Sequence, residues 1–206
     1  MELVFFNGGR KGKKLVAVFC VIMILFILTQ LFGYVEKCHP PQFATPQEVA
    51  EYVYNGEVQA IIPGTNSYLI FHDITEGTVD FMISSCLDGM YKTVSEMQSN
   101  LIVGKSDMLG DIIFLQEKSS DDQYVEIVGT GCIDKLSVYD SIGTTFFVSF
   151  DERMKSDKPF AFFVAVGYLD RKRFGSDTYT VTVESAGVTE RLTMRRQRDG
   201  SFVLTD

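Results

Sequence analysis

Residues 178–196 read TYTVTVESAGVTERLTMRR. Tyr179, Val181 and Val183 alternate with Thr178, Thr180, Thr182 and Glu184; beyond a short turn, Leu192 and Met194 alternate with Arg191, Thr193 and Arg195. Side chains along a strand point to opposite faces in turn, so the two runs predict a hairpin with one apolar and one wet face. That pattern belongs to an antiparallel sheet packed on a core by one side. Ala186-Gly187 is the break between the two strands.

The same alternation of short runs and plain breaks extends back through most of the chain. Further strands are expected near Glu57–Ile62, Ser67–Asp73, Thr78–Ser85, Asn100–Val103, Asp111–Glu117, Tyr124–Val128, Leu136–Asp140, Thr144–Asp151, Phe160–Leu169 and Phe202–Thr205. Pro63-Gly64, Glu76-Gly77, Asp88-Gly89, Ser119 to Asp122 and Asp199-Gly200 separate them, with residues that accept positive φ or cap a turn locally. Phe160 to Val166 is continuously apolar, which places it centrally, buried on both faces. Tyr91 to Ser99 fits neither period.

Ahead of the strands, Thr45-Pro46-Gln47-Glu48 forms a capping box with proline at the first helical position. It predicts a helix from Pro46 to Tyr54, ended by Asn55-Gly56, with Val49, Tyr52 and Val53 on the packed face. The fold class expected is mainly β: a compact antiparallel sandwich or barrel-like domain over residues 46–206, with α+β as the alternative.

The N-terminus has a different character. Leu15 to Phe32 reads LVAVFCVIMILFILTQLF, eighteen residues without charge, proline or glycine. As a helix it covers roughly 27 Å, against about 30 Å for a bilayer's hydrocarbon core. Tyr34 supplies an interfacial aromatic on one side, and Arg10, Lys11, Lys13 and Lys14 reach headgroups on the other. A cleaved signal peptide is the rival reading, but no alanine lies between Ala17 and Ala44, so small residues for a cleavage site are lacking. The expectation is therefore a basic leader at 1–14, a transmembrane signal anchor at 15–33, and a stalk at 34–45 stiffened by His39-Pro40-Pro41. The basic cluster sets the topology: N-terminus in the cytoplasm, residues 34–206 outside the cell membrane.

The formal charge of -8 averages over three regions: +3 for residues 1–33, -13 for 34–170 and +2 for 171–206. An exported acidic body makes nucleic acid a poor partner. The local exception is Arg191, Arg195, Arg196 and Arg198, with Arg171, Lys172 and Arg173 nearby. These either pair with acids on neighbouring strands or form a patch for an anionic partner, such as lipid headgroups or an acidic wall polymer.

Catalytic chemistry has few carriers. With two histidines, acid–base work near neutral pH falls to His39, in the stalk, or His72, beside Asp73 at a strand end. Ser84, Ser85 and Cys86 sit in no nucleophile elbow. Asp107 with Asp111, and Asp121 with Asp122, lack the ligand spacing and glycine of a calcium loop, and no cysteine or histidine pair suits zinc. Neither metal nor cofactor is expected. Of four cysteines, Cys20 lies in the apolar run; Cys86 and Cys132 are the favoured disulfide, leaving Cys38 free or linking two copies into a homo-oligomer.

The organisation of leader, span, capped helix and β body is similar in kind to envelope proteins of low-GC Gram-positive bacteria, a likeness of architecture that transfers no functional residue. The expected function is a binding or interaction module of the bacterial cell envelope, engaging another envelope protein or a wall polymer, and not an enzyme. The alternatives are an unusual envelope enzyme and a tethered inhibitor or immunity-type partner.

Overall fold

The computed structural model describes residues 10–38, 41–54, 58–75, 78–93, 97–104, 106–117, 121–151 and 160–205. The chain divides into two units, Met1–Pro41 and Gln42–Asp206.

In the first unit the backbone of Arg10–Cys38 is a helix, α1. It takes in the run expected as a span and continues into the expected stalk; His39 and Pro40 lie outside the described residues. The side chains of α1 are described at 17–31, 33 and 34, a shorter stretch than Leu15–Phe32. Among the described residues no helix is long and apolar enough to cross a membrane.

The second unit is mainly β. It opens with helix α2 (Pro46–Val53), followed by strands β1 (Ala60–Pro63), β2 (Ser67–Thr75), β3 (Thr78–Leu87), β4 (Met90–Thr93), β5 (Met97–Ile102), β6 (Ile112–Glu117), β7 (Gln123–Cys132), β8 (Leu136–Asp140), β9 (Phe146–Phe150), β10 (Phe160–Tyr168), β11 (Thr178–Ser185), β12 (Val188–Arg196) and β13 (Phe202–Leu204). They form three antiparallel sheets: a meander β1-β2-β3-β4, a central sheet in the order β5-β6-β7-β10-β9, and a third in the order β13-β12-β11-β8. After β7 the chain leaves the central sheet to lay down β8, returns for β9 and β10, then completes the third sheet.

Two cores explain the layering. Between the central and third sheets lie Ile112, Phe114, Val125, Ile127, Phe163, Tyr179, Val181, Val183, Leu192 and Met194. Between the central sheet and the meander lie Leu69, Phe71, Leu115, Tyr124, Val164 and Val166. The central sheet is thus covered on both sides, which is why β10 is apolar without alternation while β11 and β12 alternate. The antiparallel sandwich or barrel-like body expected is a stack of three sheets, and α2 caps the meander through Val49, Ala50 and Ile70.

Three local readings change. The ambiguous segment after Asp88-Gly89 holds β4 and the start of β5, because Asp88 and Gly89 both take positive φ and close a tight hairpin. Strand β7 runs four residues past its expected end. Its N–H groups at Val128 and Thr130 donate to the carbonyls of Asp111 and Asp107, each at 2.8 Å, so the β5–β6 loop takes over the ladder. Gly129 permits this, since a Cβ there would strike the Met108 carbonyl and the Phe163 ring. On α2 the buried pair is Val49 and Ala50, while Tyr52 and Val53 are exposed. Val49 and Ala50 pack on Ile70, with Phe43 beside them, and the Phe43 backbone exchanges two 2.8 Å hydrogen bonds with Tyr91. The capping box forms, with Glu48 N–H donating to Thr45 Oγ1 at 3.2 Å and Glu48 Oε2 accepting from the Ala44 N–H at 2.9 Å.

Candidate functional site

The residues singled out in the sequence do not converge. His72 stacks on Tyr54 with ring centroids 4.4 Å apart. Ser84 pairs with Tyr68, four residues away along β2, about 13 Å of strand at 3.3 Å per residue. The Ser84 hydroxyl donates to the Lys92 carbonyl. That geometry provides no nucleophile–base contact. Cys132 is a buried free thiol whose N–H donates to Ser185 Oγ at 2.7 Å. Cys86 faces Tyr91 in the β3–β4 pairing, and Cys38 ends α1; the side chains of both lie outside the described residues, as do those of Arg10, Lys11, Lys13 and Lys14.

The arginine cluster divides between two faces. Arg191 and Arg195 stand opposite Thr182 and Thr178 on the outer face of the third sheet, where Tyr139 donates to Glu184 at 2.6 Å beside Arg191. Arg196 points to the inner face, its guanidinium 5.1 Å above the Phe174 ring. Burial and the neighbouring Arg171 lower its pKa, partly countered by Asp177. Arg198 is exposed in the β12–β13 turn. Arg171 meets Asp121 at 3.1 Å and Arg173 meets Asp170 at 3.5 Å, so these two engage the chain's own acids.

Asp107 and Asp111 line a cavity of about 460 Å³ with Ser106 and Thr130. The loop beside it is fixed by Glu190, whose Oε2 accepts from Ser106 Oγ and from the Leu109 N–H. Among the described residues, no three acidic, histidine or cysteine side chains gather where a metal ion would need them. Asp122, read as a turn residue, is buried. Its Oδ2 accepts from the Asn66 N–H at 2.7 Å and Ser67 Oγ at 2.8 Å, and its Oδ1 from Tyr168 at 3.2 Å. These bonds tie the β1–β2 turn to the central sheet.

A groove that no motif announced lies where the third sheet stops covering the central one. Gln98 on β5 is in register with Gln116 on β6, and Gln116 with Gln123 on β7, so three glutamines form a row on one face of three adjacent strands. Asn100, Ser99 and Phe114 continue the floor; Asp199, Gly200 and Ser201 of the β12–β13 turn form the wall, enclosing about 460 Å³. Asn100 Oδ1 accepts the Phe202 N–H at 2.9 Å, leaving its amide nitrogen to donate. Gln123 is buried, its Nε2 reaching the Gly200 carbonyl at 3.5 Å and its Oε1 having no partner. Asp199 Oδ1 accepts the N–H and hydroxyl of Ser201, which hold that carboxyl below its ordinary range. The lining is rich in groups that both donate and accept, with a single carboxylate at the rim.

Glu126 is the other residue sequence reasoning passed over. It lies three residues beyond Gln123 on β7, on the opposite face, between Ile113 and Val166 in the apolar layer beneath the meander. Burial pushes its carboxyl up to about 7, and its Oε2 has no hydrogen-bond partner. Comparison with protein families, curated proteins and solved structures found no match for this chain.

Proposed function

We propose that the chain is a membrane-tethered binding module of the bacterial cell envelope, anchored through Leu15–Phe32 with residues 34–206 outside the cell. The observation that carries the tether is the surface of α1: Val18, Phe19, Val21, Ile22, Ile24, Leu25, Phe26, Ile27, Leu28 and Leu31 are all exposed, on every side of the helix. An apolar surface all round favours lipid over water. Thr29, the most polar hydroxyl in the run, donates to the Phe26 carbonyl at 2.7 Å, so it carries no unmet bond into a bilayer. The bases support the orientation: Arg10, Lys11, Lys13 and Lys14 precede the apolar run, while Tyr34 to Ala44 carry one base and one acid.

Binding, in preference to catalysis, is supported by the amide-lined groove and by the separation of His72 from Ser84. An envelope enzyme and a tethered inhibitor are the competing readings. Protease added to intact cells should degrade residues 34–206 and leave a membrane-embedded N-terminal fragment. Protection of the body would refute the orientation; release of the whole chain by alkaline carbonate would refute the tether.

A further inference from the structure

We propose that the groove over Gln98, Gln116 and Gln123 binds a neutral glycan, an inference that rests on the binding-module reading and names its ligand class. The three amides repeat across adjacent strands at about 4.8 Å, giving a ladder of paired donors and acceptors. Sugar hydroxyls and acetamido groups also donate and accept, so each amide can meet them in two-way hydrogen bonds. Gln123 Oε1 is buried and unpartnered at the floor, a cost of about 1–3 kcal/mol in the empty groove that a hydroxyl donor would offset. Asn100 offers its amide nitrogen beside it, and the ionised Asp199 at the rim accepts from a hydroxyl.

Charge narrows the class to neutral polymers. The floor holds no ionisable side chain, so nothing in it pairs with a charged ligand group. Geometry favours sugar over peptide. A peptide that adds to a sheet pairs with backbone groups along an edge such as that of β5, whereas the three glutamines present side-chain amides on the sheet face. A cavity of about 460 Å³ takes a short stretch of a longer strand.

The test uses the full chain in phospholipid nanodiscs, titrated calorimetrically with chitotetraose, the tetramer of N-acetylglucosamine. Saturable binding with Kd below about 1 mM is expected. The double variant Gln98→Ala with Gln116→Ala, at positions exposed or half-exposed, should weaken it at least tenfold with an unchanged melting temperature. Gln123→Leu, which removes the buried amide at similar volume, should abolish it. No saturation at millimolar sugar, or binding undiminished in the double variant, overturns the proposal. So does saturable binding of an unstructured peptide where the sugar shows none. Crosslinking in cells separates the two levels of claim: recovery of one stoichiometric protein partner by wild type and double variant alike removes the glycan and keeps the module, whereas recovery of nothing, with no sugar bound, removes both.

Discussion

Glu126 makes the protein's stability depend on pH through one side chain. Its carboxyl titrates near 7 in the folded state, against an ordinary value of 4.5. A raised carboxyl pKa means that the folded state holds the proton more tightly than the unfolded one. Below about pH 4.5 both states are protonated and nothing is lost; between about 4.5 and 7 stability falls as pH rises, and above 7 the loss is complete at about 3 kcal/mol. The variant Glu126→Gln should therefore flatten the melting-temperature profile between pH 5 and 8, a relative gain on the order of 10 °C at the alkaline end. Parallel slopes for the two proteins would show that the carboxylate finds solvent or a partner. At the β11–β12 turn, Ala186 sits at φ 51°, a left-handed conformation that costs an L-residue about 1–2 kcal/mol, beside Gly187 at 85°. Ala186→Gly or Ala186→Asn should raise stability by about 1 kcal/mol in urea titration. Gly64 shows the opposite constraint: a Cβ there would lie 2.6 Å from Tyr124 Oη and 2.7 Å from Asp122 Oδ2. Gly64→Ala should destabilise by several times that gain, because it displaces the carboxylate that holds the Asn66 N–H, Ser67 and Tyr168.

Elements were legible where their signals are local. The hairpin at 178–196 and the strand at 160–168 follow from period and apolar content alone, and α2 follows from its box. Removing Thr45 Oγ1 by Thr45→Ala should cost about 1 kcal/mol and loosen α2 from the meander, seen as faster amide exchange at Glu48, Val49 and Ala50. The buried face of α2 rests on nonlocal packing: Val49 and Ala50 meet Ile70, and Phe43, outside the helix, bridges to Tyr91 some fifty residues on. The end of β7 was misread for a related reason. Gly129 and Gly131 look like turn residues, yet they are the thin backbone on which the 104–111 loop and Leu136 pack. The glutamine row was invisible for a third. Gln98, Gln116 and Gln123 belong to three strands, and neutral amides carry no charge pattern or motif; only register makes them one surface.

For the whole molecule, charge and hydropathy divide the chain into an apolar helix and an acidic β body, while strand order and the third layer stayed hidden because nonlocal pairing leaves no periodic trace. The arginines illustrate the limit: alternation places Arg191 and Arg195 on one face and Arg196 with Leu192 and Met194 on the other, but only the fold brings Phe174 beneath Arg196. The boundary between the units falls after Pro41, and both cores of the body lie within residues 42–206. The body thus contains a core of its own that should hold it folded. A chain beginning at Gln42 and carrying Cys86→Ser should stay in the supernatant on ultracentrifugation, melt cooperatively, and keep the Cys132 thiol closed to maleimide until denaturant is added, since that side chain is 7% exposed. The full chain should sediment with membranes. If the shortened chain aggregates or its thiol reacts at once, the body depends on residues before Gln42, and the division into an anchor and an independently folded binding domain fails.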